Sequence, residues 1–336
     1  MISEKCKDIM SKITLLLQSR GAKRAEKKSA EIIISVCRLV FLIAIGYIIL
    51  FPVLSAFSSA IKTEAALFDM NLYWIPKDVT AENFKNAFLL LEVPKTFTRT
   101  LTLNIVSAMI EVATCAITAY GFARFSFKLK KPMQVLLILS ILIPMQFYVV
   151  SMFINYKHLD IFGILGLFNN LTGIDIRPNI LNTNLTFYLP SLFAVGLRSG
   201  ILIYIYQQFF IGLPKELEEA AWIDGAGPIK TFIKIAIPSS TVVILVIVVF
   251  SMIWHYNDYY LSVMFFDGDY PLAVQLSNLP TMLSSNRLFN SVSISTATKN
   301  SIIMAGCLIF ILPMLVFYLC VQNKFVQSID RIGITG

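Results

Sequence analysis

Six apolar segments constrain this chain more than anything else in it. They lie near residues 32–57, 98–123, 133–156, 187–212, 240–265 and 300–322. Each has the roughly 20 residues that a helix needs to cross a bilayer. In hydrocarbon a segment must satisfy its own backbone N–H and C=O groups, which leaves each of these runs helical. Composition agrees: 57% of the residues are hydrophobic and the mean hydropathy is +0.73, against about 45–50% apolar residues in a soluble domain. The expected fold is an all-α polytopic membrane protein with six transmembrane helices.

Charge orients the bundle, because Lys and Arg collect on cytoplasmic loops. With the N-terminus inside, the inner side holds a basic tail (Lys5, Lys7, Lys12, Arg20, Lys23, Arg24, Lys27, Lys28), the 124–132 turn (Arg124, Lys128, Lys130, Lys131), the 213–238 stretch (Lys215, Lys230, Lys234) and the C-terminal end (Lys324, Arg331). The outer loops hold fewer: Lys62, Lys77, Lys85, Lys95, Lys157, Arg177, Arg287 and Lys299. Both termini are thus expected in the cytoplasm. This asymmetry accounts for the net charge of +8 without a nucleic-acid partner. The first apolar run is longer than the 7–15 residues of a signal-peptide core and reads as an uncleaved helix. The expected organisation is a cytoplasmic tail (1–31), a first transmembrane helix (32–57), an extracellular loop (58–97), a five-helix core (98–325) and a cytoplasmic end (326–336).

Between the fourth and fifth apolar segments lies LPKELEEAAWIDGAGPIKTFIKIAIP, residues 213–238. It is too polar to span and too regular for a slack loop. Pro214 suits a first helical position, and Glu216, Glu218 and Glu219 suit the positive end of a helix dipole. Asp224-Gly225 breaks the helix, since Gly takes the left-handed conformation that ends helices. Pro228 opens a second helix, and Pro238 closes it or begins the next segment. The expectation is an amphipathic helix–turn–helix lying against a membrane face.

Within it, Glu219-Ala220-Ala221, Asp224-Gly225-Ala226, Phe232, Ile235 and Pro238 resemble the EAA loop of ABC importer permeases. Other stretches extend the resemblance from about residue 70 to the end. Trp74-Ile75-Pro76 and Thr80-Ala81-Glu82-Asn83-Phe84 are similar to the first external loop of the carbohydrate branch, that of maltose and multiple-sugar permeases. Ala119 to Phe125 (AYGFARF) resembles the end of the family's second helix, and Ile143-Pro144-Met145-Gln146 a stretch of its third. Trp254-His255-Tyr256-Asn257-Asp258-Tyr259 is similar to the end of the fifth, with His255 and Tyr256 inserted. The tail resembles the closing Q-x-x-F-V…G-x-x-G, with Thr335 where Lys is expected.

The resemblance implies a coupling loop. Glu219 would contact the ATPase, Ala220 and Ala221 would allow close approach, and Gly225 would set the turn, with Asp224, Ala226 and Pro238 completing the element. It also implies partners: a second homologous permease, two cytoplasmic ATP-binding subunits that hold ATP and Mg, an extracellular substrate-binding protein and a carbohydrate substrate. This chain carries no GxxxxGK phosphate loop, no HExxH and only two histidines, His158 and His255, so no catalytic residue, metal or cofactor is expected in it. The five cysteines show no CxxC spacing or Cys/His cluster.

Polar groups inside spanning segments are costly, about 2.5–3.5 kcal/mol for Arg or Asp near the centre, and point to function. Counting residues from the outer ends puts Glu111 and Arg198 at similar depth, which predicts that they pair or share a cavity. Asn104, Gln146, Tyr148, Asn155 and Asn257 are the further substrate-path candidates, because sugars take hydrogen bonds from amides and hydroxyls. Trp254 and Asp258 fall in the same region, with Trp254, Tyr256, Tyr259 and Tyr260 read first as belt or packing residues. Alternatives are a permease for another solute class (peptide, amino acid, phosphate) or a stand-alone secondary transporter.

Overall fold

The computed structural model describes residues 2–69, 78–160, 163–285 and 295–333, with side chains described for 31–324 of these. Trp74-Ile75-Pro76, Lys77, Arg287 and Thr335-Gly336 lie outside the described residues. Among the described residues the chain forms helices and a single isolated bridge, Lys62 to Val79.

The helices in order are α1 (Ile2–Ala60), α2 (Glu64–Leu67), α3 (Glu82–Leu90), α4 (Val93–Arg124), α5 (Lys130–Leu142), α6 (Val149–Lys157), α7 (Ile164–Thr172), α8 (Leu185–Leu192), α9 (Ser199–Gly212), α10 (Glu216–Ile223), α11 (Pro228–Thr231), α12 (Ile237–Ser239), α13 (Thr241–Tyr256), α14 (Tyr260–Phe265), α15 (Leu272–Ser284) and α16 (Thr296–Gly333). Among the described residues, three stretches are long and apolar enough to cross a membrane unbroken: Glu31–Ala60, Val93–Arg124 and Thr296–Lys324. Pro228–Ser239 and Thr241–Tyr256 form a fourth as a pair bent by 78°. The N-terminal tail does not separate from the first apolar segment; one helix runs through both. Its apolar residues face outward all round, as Phe41, Ile48 and Ile49 show, which fits a lipid-facing span and no soluble helix.

The other apolar segments are not single helices. In 133–156, Ile143 takes an extended conformation (ψ 116°) because it precedes Pro144, whose ring disfavours the helical region for its neighbour. A short 3₁₀ turn, Met145–Phe147, carries the chain into α6. In 187–212 the break is Phe193–Arg198, where Ala194 (φ 57°) and Arg198 (φ 58°) both adopt the left-handed conformation. In 240–265 the chain turns at Asn257–Tyr259 between α13 and α14.

Packing centres on α4, which lies against α8, α9 and α13. One apolar core joins Cys115, Ala119 and Tyr120 of α4 to Leu202, Tyr206 and Phe210 of α9 and Ile247 of α13. A second joins α3, α15 and α16 through Ala87, Leu90, Leu279, Leu283 and Ile302. A third gathers Val149, Tyr156, Phe187, Leu261 and Phe265. Thr80 Oγ1 accepts from the Glu82 amide at 3.1 Å as a local cap. Asn83 is not part of that cap. Its Nδ2 donates to the carbonyls of Ala60 and Lys62, each at 3.0 Å, and ties α3 to the end of α1.

Candidate functional site

Two places gather the predicted residues. The first is the 213–238 element. α10 ends at Asp224, and Gly225 follows with φ 78°, the conformation for which glycine is suited. Pro228 opens α11, and a π-helical turn, Phe232–Ala236, leads through α12 to the bend before α13. Glu219, Ala220, Asp224 and Gly225 are exposed, Ala226 is half-buried and Ala221 is buried. The exposed side also carries Leu217, Trp222, Ile223 (86% exposed), Ile229 (76%) and Ile233. Apolar side chains gathered on the open side of a polar element mark a contact surface.

The residue that sequence reasoning missed is Glu218. It is buried, and its Oε1 accepts from Arg124 Nε at 2.8 Å. Arg124 Nη2 also donates to the Leu213 carbonyl at 2.7 Å. The last residue of α4 thus holds both the start of α10 and the chain leading into it. The signal was present in the AYGFARF stretch, but spacing alone does not tell which of two adjacent glutamates turns inward.

The second place lies where the breaks meet. Gln146 and Arg198 line one cavity of about 390 Å³ with Trp254, Asn257, Asp258, Tyr259 and Tyr260. Tyr148 lines an adjoining cavity of about 350 Å³ with the same Gln146 and Arg198. The Arg198 guanidinium sits over the Trp254 ring, 5.1 Å from its centroid, within cation–π range. Trp254 is in turn stacked on Phe250, with centroids 5.5 Å apart and planes at 7°. Asp258 caps α14: its Oδ2 accepts from the Ser262 amide at 2.9 Å and the Ser262 hydroxyl at 3.0 Å.

Glu111 and Arg198 do not pair. Glu111 is fully buried behind the loop, so close that a Cβ on Gly196 would lie 3.0 Å from its Oε1. Its carboxylate accepts from Ser199 Oγ at 2.5 Å and Ser251 Oγ at 2.7 Å, with His255 Nδ1 at 3.7 Å from Oε2. His255 Nδ1 lies 2.9 Å from the Ser251 carbonyl, so that nitrogen carries the proton. Ser199, one residue beyond Arg198, therefore occupies the place expected for the arginine. Against the expectation drawn from their similar depth, Glu111 neither pairs with Arg198 nor lines the cavity that Arg198 lines. Asn104 is buried, with neither amide atom partnered, and Asn155 is exposed; neither lines the cavity with Arg198.

These features agree with the comparisons. Residues 113–331 match the family described as binding-protein-dependent transport system inner membrane component. That is more than half of the chain, and the chain belongs to this family: it is a multi-pass membrane protein, the permease subunit of an ABC importer. It is 25% identical over 298 residues to the osmoprotective compounds uptake permease protein GgtD of Synechocystis sp., covering 86% of this chain and 88% of that one. It is 27% identical over 271 residues to the probable starch degradation products transport system permease protein AmyC of Thermoanaerobacterium thermosulfurigenes (81% and 86%). It is 27% identical over 270 residues to the melibiose/raffinose/stachyose import permease protein MelC of Bacillus subtilis (80% and 86%). The fold is that of a chain in the crystal structure of a bacterial ABC transporter involved in the import of the acidic polysaccharide alginate. The TM-score is 0.63 over 87% of this chain and 96% of that chain, at 16% identity.

Proposed function

We propose that this subunit forms one half of a carbohydrate pathway and couples it to ATP hydrolysis by other chains. Six passages with both termini in the cytoplasm put α10 and α11 on the inner side, as the Lys and Arg distribution requires. Two ATP-binding subunits, which supply ATP and Mg, dock there, a second homologous permease completes the pathway, and an extracellular binding protein delivers substrate. The observation that carries the reading is the Arg124–Glu218 pair beneath an exposed apolar face. A push on α10 from outside the membrane reaches α4 directly, and α4 packs against α8, α9 and α13. Glu219 on the open side is the charged contact. Gly225 sets the angle between α10 and α11, with Ala220, Ala221, Asp224, Ala226 and Pro238 shaping the same element.

Carbohydrate is supported by the names of relatives such as AmyC and MelC and by the cavity itself. Gln146, Asn257, Tyr148 and Tyr259 offer hydrogen bonds, and Trp254 offers a ring face. A second reading, a smaller polar solute of another class, has one observation in its favour, the osmoprotective compounds named for GgtD. Replacing Glu219 by Ala or Gly225 by Val should remove ATP-dependent uptake by the assembled transporter while membrane insertion stays normal. Normal uptake in both variants would refute the coupling role.

A further inference from the structure

We propose that Arg198 is the specificity-determining residue of this pathway and that the carbohydrate it selects carries a carboxylate, as a uronic-acid unit does. The inference rests on the carbohydrate reading above and narrows it. Arg198 is an exposed guanidinium in a segment read as crossing the membrane, where an unpaired cation is costly and marks a substrate path. Asp258, which lines the same cavity, and Glu111, which meets the next residue Ser199, are both already engaged. Glu111 accepts from Ser199 and Ser251, and Asp258 caps α14. Among the described residues no carboxylate pairs with Arg198; its one recorded partner is the face of Trp254 at 5.1 Å.

That contact leaves the guanidinium N–H groups without a hydrogen-bond acceptor among the described residues. A guanidinium carries its donors in one plane, which matches a planar carboxylate with two parallel hydrogen bonds. The backbone fixes the direction: Arg198 stands in the left-handed conformation at the start of α9, beside Ala194 in the same conformation. Non-glycine residues in that region are uncommon and gather at ligand clamps. Around the guanidinium, Gln146, Asn257 and Tyr259 supply what the neutral part of a sugar needs, hydroxyl partners and an aromatic edge. A neutral sugar can accept hydrogen bonds from the arginine as well, but it leaves the positive charge uncompensated. A uronide uses the same groups and adds a carboxylate that neutralises the charge.

The test is uptake into proteoliposomes that hold the whole transporter with its binding protein and ATP. The probes are trisaccharides of galacturonic and glucuronic acid against the neutral maltotriose and raffinose. Each is measured for the wild type, Arg198→Ala and Arg198→Lys, and co-purification of the second permease is followed in parallel. The expected result is a wild-type preference for the acidic trisaccharides, an acidic-to-neutral ratio that falls at least tenfold in R198A, and a smaller fall in R198K. Uptake of neutral trisaccharides with a ratio that R198A leaves unchanged overturns the proposal and leaves the carbohydrate reading standing. Uptake of neither kind overturns both. Loss of the second permease from R198A preparations overturns the proposal by assigning Arg198 to a subunit contact.

Discussion

At the scale of single residues, the Arg124–Glu218 pair is the contact on which the proposed coupling rests. Both side chains are almost fully buried (7% and 3% exposed). Removing one partner of such a pair leaves an uncompensated charge and typically costs about 3–5 kcal/mol, whereas replacing both by apolar residues is often neutral. Glu218→Ala should therefore lower the thermal stability of the detergent-solubilised transporter, and the double variant Arg124→Met with Glu218→Met should recover most of it. Uptake should stay low in both, because neither has the tie between α10 and α4. Recovery of uptake in the double variant would show that the pair serves stability alone. Gly196 is a second sensitive position. An added Cβ would lie 2.7 Å from Ser191 Oγ, 3.1 Å from Ser191 Cα and 3.0 Å from Glu111 Oε1. Overpacking of this kind costs about 1–3 kcal/mol, so Gly196→Ala should lower the melting temperature, as differential scanning fluorimetry will show.

Elements matter here chiefly where they break. α5 stops before Pro144, α8 stops at Leu192, and α13 stops at Tyr256. The cavity with Arg198 forms where these three interruptions meet, because a broken helix frees side chains and backbone to face a common space. Pro144 is the break that can be tested most simply. Pro144→Ala lifts the steric bar on Ile143 and should let α5 run on toward α6, moving Gln146 and Tyr148 away from Arg198. Uptake should fall several-fold with little loss of stability, as paired uptake and unfolding measurements will show. Unchanged uptake would mean that this break does not shape the path. The interruption at Pro144 was visible as a proline in an apolar run. The one at Phe193–Arg198 was not, since Ala194 and Arg198 carry no local signal for left-handed backbone.

On the scale of the whole molecule, the lipid-facing surface and the proposed docking surface are both apolar and exposed, and charge tells them apart. Leu39–Leu54 of α1 carries exposed apolar residues and no charge, whereas Trp222, Ile223 and Ile229 are set among Glu219, Asp224 and Lys230. Topology can be checked with single cysteines in a background without the native ones. Glu219→Cys should react with an impermeant maleimide only from the inner side of membrane vesicles, and Asp175→Cys only from the outer side. Labelling of both from one side would overturn the proposed orientation.

What the sequence determined by itself is local: the apolar runs and thus the membrane, the charge asymmetry, and the helix–turn–helix of 213–238 with its turn at Gly225. Each follows from chemistry carried within a few residues. Only tertiary structure decided which groups meet. Adjacent residues on a helix point about 100° apart, so whether Glu218 or Glu219 turns inward depends on how α10 rolls against α4. Similarly, Glu111 meets Ser199 and Ser251, separated from it by 88 and 140 residues, because α4, α9 and α13 cross at one point. Arg198 is left facing the cavity because α9 begins one residue later. No spacing within one segment encodes those rotations and crossings, and they are what turn six apolar runs into a path with a charge in it.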